Sequence, residues 1–369
     1  MENMEIVNCF KGVYKDKVVL VTGHTGFKGS WICMWLNMLG AKVIGYSQEP
    51  NTNPNLFDIC NLEKNMVSVI GDIRDEECLY NTIKKYKPEI IFHMAAQPLV
   101  RLSYEEPKMT YETNVIGTLN LFEVVRKSNC VKSIINITTD KCYENKEWIY
   151  GYRETDSMGG YDPYSSSKAC VELLTNSYRN SFFKKQNIGI ATVRAGNVIG
   201  GGDWSKDRLI PDIVKNISIN NEITIRNPDA VRPWQHVLEP LSGYLWLGCL
   251  IMEDNERYGQ GWNFGPEDSD ILRVKEVLDT SIEIWNKGKY KIDLSEQPHE
   301  AKLLKLDISK AKMDLKWKPV YNSYEAIHKT IDWYVEFYER NSDMREFTIN
   351  QIKEYTKKAI NNKLLWSVK

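Results

Sequence analysis

The run Lys17 to Thr22, K-V-V-L-V-T, passes without a break into G-H-T-G-F-K-G-S and then into the apolar W-I-C-M-W-L-N-M-L. A β-branched run, a turn with glycine at every third position and a long apolar segment describe a strand that feeds directly into a helix. Gly23 permits the tight turn, Gly26 lets backbone approach a pyrophosphate, and Gly29 lets the helix pack closely. Thr25 and Phe27 share the turn, and the helix N-terminus offers N–H donors to phosphate. A dinucleotide cofactor is the expected ligand.

The alternation continues down the chain. Apolar runs predict strands at Lys17 to Thr22, Ala41 to Tyr46, Met66 to Gly71, Glu89 to Met94, Lys132 to Thr138 and Gly189 to Val193. Amphipathic stretches between them predict helices at Ser30 to Leu39, Asp75 to Tyr86, Lys108 to Ser128 and Tyr164 to Lys185. The expected fold is α/β, a Rossmann-type doubly wound parallel sheet with a smaller C-terminal mixed α/β lobe. Residues 1–197 form the nucleotide fold, with a return of the chain near 235–265, and residues 198–369 mainly form the second lobe. Short strands at Ile223 to Arg226 and Trp262 to Gly265 and helices near Leu241 to Glu253, Val274 to Asn286, Tyr324 to Arg340 and Thr348 to Ile360 fill this later part.

With 48 Lys and Arg against 49 Asp and Glu, no global field draws nucleic acid or an anionic membrane, so neither is an expected partner. The longest apolar-rich run, Leu241 to Met252, is too short to span a bilayer, and the N-terminus carries no signal-like stretch. The eight cysteines lack Cys-x-x-Cys spacing and read as reduced core thiols of a cytoplasmic protein. Neither they nor the five histidines have metal-ligand spacing, so no metal site is expected.

Chemistry enters with G-Y-D-P-Y-S-S-S-K, where Tyr164 and Lys168 stand four residues apart on one face of a helix. A phenol titrates near pH ~10, and a neighbouring cation favours the phenolate, a base for a sugar hydroxyl. The same spacing occurs at Tyr80/Lys84 and Tyr104/Lys108, but the first lies in a charged amphipathic stretch and Pro107 interrupts the second. Only Tyr164 follows both a nucleotide loop and the cluster Thr139, Asp140, Lys141.

After the second strand comes V-I-G-Y-S-Q-E-P, with no acidic residue at the strand end and no Arg or Lys for a 2′-phosphate. NAD is therefore expected rather than NADP, with Ser47 against the ribose. Asp72 and Ile73 in G-D-I-R are placed to meet adenine, and Ala95, Ala96 and Gln97 in H-M-A-A-Q to meet the pyrophosphate or ribose.

The glycine turn, I-T-T-D-K-C-Y-E-N, Tyr164-x-x-x-Lys168 and V-R-A-G-N-V-I-G together resemble the extended short-chain dehydrogenase/reductases. Within them, G-H-T-G-F-K-G-S-W, H-M-A-A-Q-P-L-V-R-L-S-Y, G-G-G-D-W and R-P-W-Q-H-V are similar to the CDP-glucose 4,6-dehydratases, from about residue 10 to near the C-terminus. The resemblance implies a redox-neutral loss of water from a nucleotide-diphosphate sugar, CDP-glucose, using bound NAD. It implies that Thr139 bonds the C4 oxygen beside Tyr164, that Lys168 binds the nicotinamide ribose, and that Asp140 is the acid for water loss. Lys141 takes the C5 proton or stabilises the enolate, against a structural ion pair with a residue such as Glu144. Asn197 and Arg232 would meet the substrate diphosphate, with Asp203, Trp204 and Arg208 lining the same cleft. His236 is either a cleft residue or a satisfied core histidine. The resemblance further implies a homodimer or dimer of dimers through the two long helices, and a product feeding deoxy-sugar synthesis for a surface polysaccharide such as O-antigen. An epimerase on the same scaffold is the rival reading, and a non-catalytic NAD binder a second.

Overall fold

Seven parallel strands form the central sheet of this computed structural model, which describes residues 6–225, 227–293 and 304–368. They are β1 (Val18–Thr22), β2 (Lys42–Ser47), β3 (Val67–Ile70), β4 (Ile90–His93), β5 (Ser133–Ile137), β6 (Gly189–Ala195) and β7 (Gly261–Phe264), in the order β7-β6-β5-β4-β1-β2-β3. The six strands expected from β-branched runs are all present, each within two residues of its predicted ends. β1 pairs with both β2 and β4, Thr22 lying opposite Tyr46 on one side and His93 on the other. Strand order reverses at this point, which opens a crevice at the carboxyl ends of β1 and β4.

Helices cover both faces. On one, Trp31, Trp35 and Leu36 from the helix Phe27–Met38 join the core with Val19 and Val21; on the other, Leu79, Ile83, Leu121, Phe122 and Val125 pack on Leu20, Ile91 and Ile134. The helix Leu238–Glu253 is buried on nearly all sides because it is apolar all round, and it lies against β5 and β6. It and β7 therefore belong to the central sheet layer.

The remaining elements are shorter. Ile223–Ile225 pairs in parallel with Tyr290–Ile292, and Val231–Arg232 pairs antiparallel with Leu272–Arg273. Arg226, expected at the end of the first of these strands, lies outside the described residues. The helix Ser323–Val335 presents Trp333 and Tyr334 to the core and Met344–Asn361 presents Tyr355, so these aromatics are packing residues. Trp366 stacks on Phe10 at 5.0 Å, tying the two ends of the chain together. All eight cysteines are free thiols, and no helix among the described residues is long and apolar enough to cross a membrane.

Candidate active site

Gly23 leaves β1 with φ of +75°, and a Cβ there would sit 2.8 Å from the Ala95 nitrogen. At Gly29 a Cβ would sit 2.1 Å from the Gly23 carbonyl oxygen, so only glycine lets the helix close on the turn. The helix begins at Gly26 with no side-chain cap and no acid in its first turn, leaving its N–H groups for a ligand. Thr25 Oγ1 lies 2.9 Å from Ser47 Oγ and donates to the Gln48 carbonyl at 2.9 Å, fastening the turn to the end of β2. Ala95 and Ala96 border the same turn at the end of β4, with Ala95 N–H donating to Thr22 Oγ1 at 3.1 Å. This uncapped, glycine-walled cradle fits a dinucleotide pyrophosphate.

Two expected cofactor residues are engaged within the protein. Both polar ends of the Gln97 amide serve its own region: Nε2 donates to Leu99 O and Thr110 Oγ1, and Oε1 accepts from Leu99 N–H. Asp72, beside buried Ile73, accepts from Gln48 Nε2 at 2.7 Å and pairs with Arg74 at 2.6 Å, which holds its carboxyl below the usual range.

The catalytic candidates converge at the ends of β5 and β6. Thr139 caps a short turn over Asp140–Cys142; its hydroxyl donates to Asp140 Oδ1 at 3.0 Å, and its side chain acts on the Tyr164 phenol. A Cβ on Gly196 would lie 2.6 Å from Asp140 Oδ2, so Asn197, the next residue, borders the acid. Burial raises the Asp140 carboxyl, against the pull of Lys141 and the Thr139 bond. Lys141 points to solvent, and the ion pair with Glu144 is not formed, because Glu144 pairs with Lys146.

Tyr164 begins the helix Pro163–Tyr178, whose cap, Asp162, accepts from Ser165 N–H at 2.9 Å. Burial pushes its phenol up to about 12, opposed by the Thr139 bond and by Arg208. The cation acting most on the phenol is thus Arg208. Lys168 donates to the Ile137 carbonyl at 3.1 Å, and burial pulls its ammonium down to about 8 against the attraction of Glu172. The other two Tyr-x-x-x-Lys pairs stand apart: Tyr80 is exposed with Lys84 over its ring, and a helix break at Glu106 separates Tyr104 from Lys108.

Of the expected substrate residues, Arg208 pairs with buried Asp203 at 2.8 Å beside the phenol, and Arg232 lies half-buried on its short strand. Two others are engaged in packing. Trp204, half-buried, spends its N–H on Tyr338 and packs edge-on against Trp333, Tyr334 and Phe337. His236 is fully buried between the rings of Trp31 and Tyr321, its Nδ1 accepting from Leu238 N–H, which makes it a core histidine. Desolvation there lowers its imidazole to about 3. Among the described residues no cluster of His, Cys, Asp or Glu could hold a metal ion.

Several residues escaped the sequence reading. Asn114 sits in a π-turn, Glu112–Ile116, that interrupts the first long helix; it bonds Gln97 and donates to Ser167 Oγ at 2.9 Å, bracing the catalytic helix. Glu172 and Arg194 form a buried ion pair below Lys168. Lys28 stands second in the helix that follows the glycine turn and is half-buried.

Residues 20–330 match the model of the family described as GDP-mannose 4,6 dehydratase. The chain belongs to that family. It is 50% identical over 351 residues to the CDP-glucose 4,6-dehydratase of Salmonella typhimurium, covering 94% of this chain and 98% of the relative. It is 28% identical over 346 residues to the CDP-paratose 2-epimerase of Salmonella typhi, covering 85% and 98% of the two chains. Among solved structures, the UDP-glucose 4-epimerase of Stenotrophomonas maltophila with bound NAD superposes with a TM-score of 0.77 at 21% identity, covering 88% and 100%. The dTDP-glucose 4,6-dehydratase of Bacillus anthracis in complex with NAD superposes at 0.70 and 23% identity, covering 88% and 98%. These two likenesses establish the fold.

Proposed function

We propose that this family member is an NAD-dependent nucleotide-sugar 4,6-dehydratase that converts CDP-glucose to CDP-4-keto-6-deoxyglucose and water. The observation that carries the reading is Asp140, a buried carboxyl whose pKa is raised by burial, bonded to the Thr139 hydroxyl that also acts on the Tyr164 phenol. Epimerisation at C4 needs no acid, whereas expelling the 6-hydroxyl as water does. The 50% identical relative, named for CDP-glucose, supports the nucleotide.

Bound NAD supplies the centre that accepts hydride from C4 and returns it at C6. Gly23, Thr25, Gly26, Phe27 and Gly29 cradle its pyrophosphate; Ser47, Asp72, Ile73, Ala95, Ala96 and the backbone of Gln97 border its adenosine side, and Lys168 its nicotinamide ribose. Arg74, close in sequence to the Asp72 loop, is already tied to Asp72, which supports NAD over NADP. Tyr164 removes the C4 hydroxyl proton with Thr139 bonded to the same oxygen. The resulting ketone acidifies C5, Lys141 takes that proton, and Asp140 protonates the departing hydroxyl. The Lys141 side chain makes no hydrogen bond or ion pair among the described residues, which leaves it able to reach the sugar. Asn197, Arg208 and Arg232 hold the diphosphate, with Asp203 orienting Arg208.

The later part of the chain, from residue 198, mainly builds the nucleotide-sugar lobe. Two copies associate through the long helices, where Ile116, Leu173 and Phe182 are exposed. Eight unpaired cysteines suit a cytoplasmic site of action, and the product is a precursor for deoxy-sugars of surface polysaccharide. Incubation with CDP-, dTDP-, GDP- and UDP-glucose, followed by mass spectrometry, tests the substrate: loss of water from CDP-glucose is expected, and dehydration of another nucleotide sugar alone would reassign the base.

A further inference from the structure

A small cavity of about 10 Å³ borders the Asp140 site, with room for a group the size of a water or a hydroxyl. Its wall includes Gly196, Pro233, Gln235, Gly265 and Ile271. Gly196 joins it to the acid, because a Cβ there would lie 2.6 Å from Asp140 Oδ2 and 3.7 Å from Pro233 Cγ. The charged side chains of the wall already have partners, Asp268 with Lys305 at 3.5 Å and Glu267 with Lys312 at 2.7 Å. Gln235 is different. It is 2% exposed, its backbone N–H donates to the Asn197 carbonyl at 3.2 Å and its Nε2 to the Phe264 carbonyl at 3.1 Å, yet its Oε1 has no hydrogen-bond partner among the described residues. A carbonyl only accepts, so Phe264 fixes the amide; turning it over would set two acceptors face to face. A buried amide oxygen without a donor is costly, and this one calls for a donor that the protein does not supply.

That requirement selects among the groups of a nucleotide sugar. Phosphoryl oxygens accept and are excluded. The C4 hydroxyl becomes a carbonyl, which also only accepts, and the C6 hydroxyl leaves as water. The C2 and C3 hydroxyls of the hexose remain donors from the first step to the last. We propose that Gln235 is a sugar-positioning residue whose Oε1 accepts from the C2 or C3 hydroxyl, holding the hexose while its C4 and C6 face Tyr164 and Asp140. A cavity of this size admits a hydroxyl and not a pyrimidine ring, which assigns it to the sugar rather than to the base. The backbone bond to Asn197 ties the same residue to the strand end expected to meet the diphosphate. The inference rests on the dehydratase reading for the identity of its substrate.

The test pairs one change in the protein with one in the substrate. Full-length wild type and Gln235→Met are assayed for kcat/KM with CDP-glucose, CDP-2-deoxyglucose and CDP-3-deoxyglucose, beside a thermal melt and a CDP titration of each form. Wild type should lose roughly 10- to 100-fold in kcat/KM with one of the two deoxy substrates, because the buried oxygen then goes unpaired. Gln235→Met should lose a similar factor with CDP-glucose, then handle that deoxy substrate within about threefold of CDP-glucose, and keep its CDP affinity within about threefold of wild type. The analogue that shows the coupling identifies the hydroxyl. If Gln235→Met does not fold, Gln235→Asn, which withdraws the amide by one methylene, carries the same comparison. Wild type indifferent to both deoxy substrates would overturn the proposal. So would a deoxy penalty of equal size in wild type and variant, which would leave Gln235 bonded to a fixed water, or a matching loss of CDP affinity, since CDP carries no hexose. Wild type that dehydrated none of the three substrates would remove the proposed function and this role together, whereas wild type that turned over CDP-glucose without coupling to Gln235 removes this role alone.

Discussion

Arg194 grips Glu172 through two parallel bonds, Nε to Oε1 at 2.7 Å and Nη2 to Oε2 at 2.8 Å, one helical turn beyond Lys168. The Thr138 and Thr192 hydroxyls donate to the same carboxylate at 2.5 and 2.6 Å, and Arg194 reaches on to the Tyr143 hydroxyl at 2.5 Å. The pair thereby joins the catalytic helix to β6 and to the loop carrying Thr139 and Asp140. Both side chains are buried, so removing one strands the other's charge.

Arg194→Met is therefore expected to cost about 3–5 kcal/mol in urea unfolding, and Glu172→Gln in the same background to recover part of it. Burial alone would raise the Glu172 carboxyl, but Arg194 and the two hydroxyls hold it below its ordinary value. A depressed folded-state pKa contributes stability above the unfolded value that is lost as pH falls through the folded one. The wild type should thus lose stability in acid more steeply than the double variant, and parallel pH curves would contradict the pair's charged state.

Tyr164→Phe should lower turnover by roughly 10²- to 10⁴-fold or more while NAD affinity stays within about threefold. With its phenol held at about 12 by burial in the ligand-free protein, almost no phenolate exists at neutral pH. Turnover must then rise with pH on its acid side as bound substrate and cofactor favour the phenolate. Arg208→Met, which removes the cation acting most on the phenol, should move that limb to higher pH, and a pH–rate profile with an unmoved limb would remove Arg208 from tuning the base.

As the proposed acid for water loss, Asp140 should make the rate fall as pH rises through its raised pKa. Asp140→Asn is expected to lower turnover roughly 10²- to 10⁴-fold and to erase this alkaline limb. A variant that kept both rate and limb would leave water loss to another group.

Gly29→Ala places a methyl 2.1 Å from the Gly23 carbonyl, where backbone and not a flexible side chain must move. The variant should lose about 1–3 kcal/mol of stability in thermal melts and most of its NAD affinity. Ala at Gly159, where the nearest atom is a Glu144 side-chain carbon at 3.4 Å, should be close to neutral.

The sheet was legible because its strands are β-branched runs set between glycine turns, and the candidate cluster Thr139, Asp140, Tyr164 and Lys168 stood out because these residues sit in short, rare-residue strings. Contacts between distant segments were not legible. Glu172 and Arg194 stand 22 residues apart on a helix and a strand that each read as ordinary. The π-turn at Asn114 leaves the apolar periodicity of its helix nearly unchanged, so nothing in the pattern marks it. Trp204 and His236 share motifs with the candidate cleft residues, and an indole and an imidazole are as useful to a core as to a ligand, so only packing shows which neighbours they take.

The central claim is that one hydride moves within a single sugar, from C4 to C6, while water leaves. CDP-glucose carrying deuterium at C4, incubated with the enzyme and NAD and analysed by mass spectrometry and NMR, tests it most directly. The account predicts a product lighter by one water with the deuterium at C6 and no net reduction of NAD. Deuterium recovered at C4 of an epimerised sugar with its 6-hydroxyl intact would contradict it.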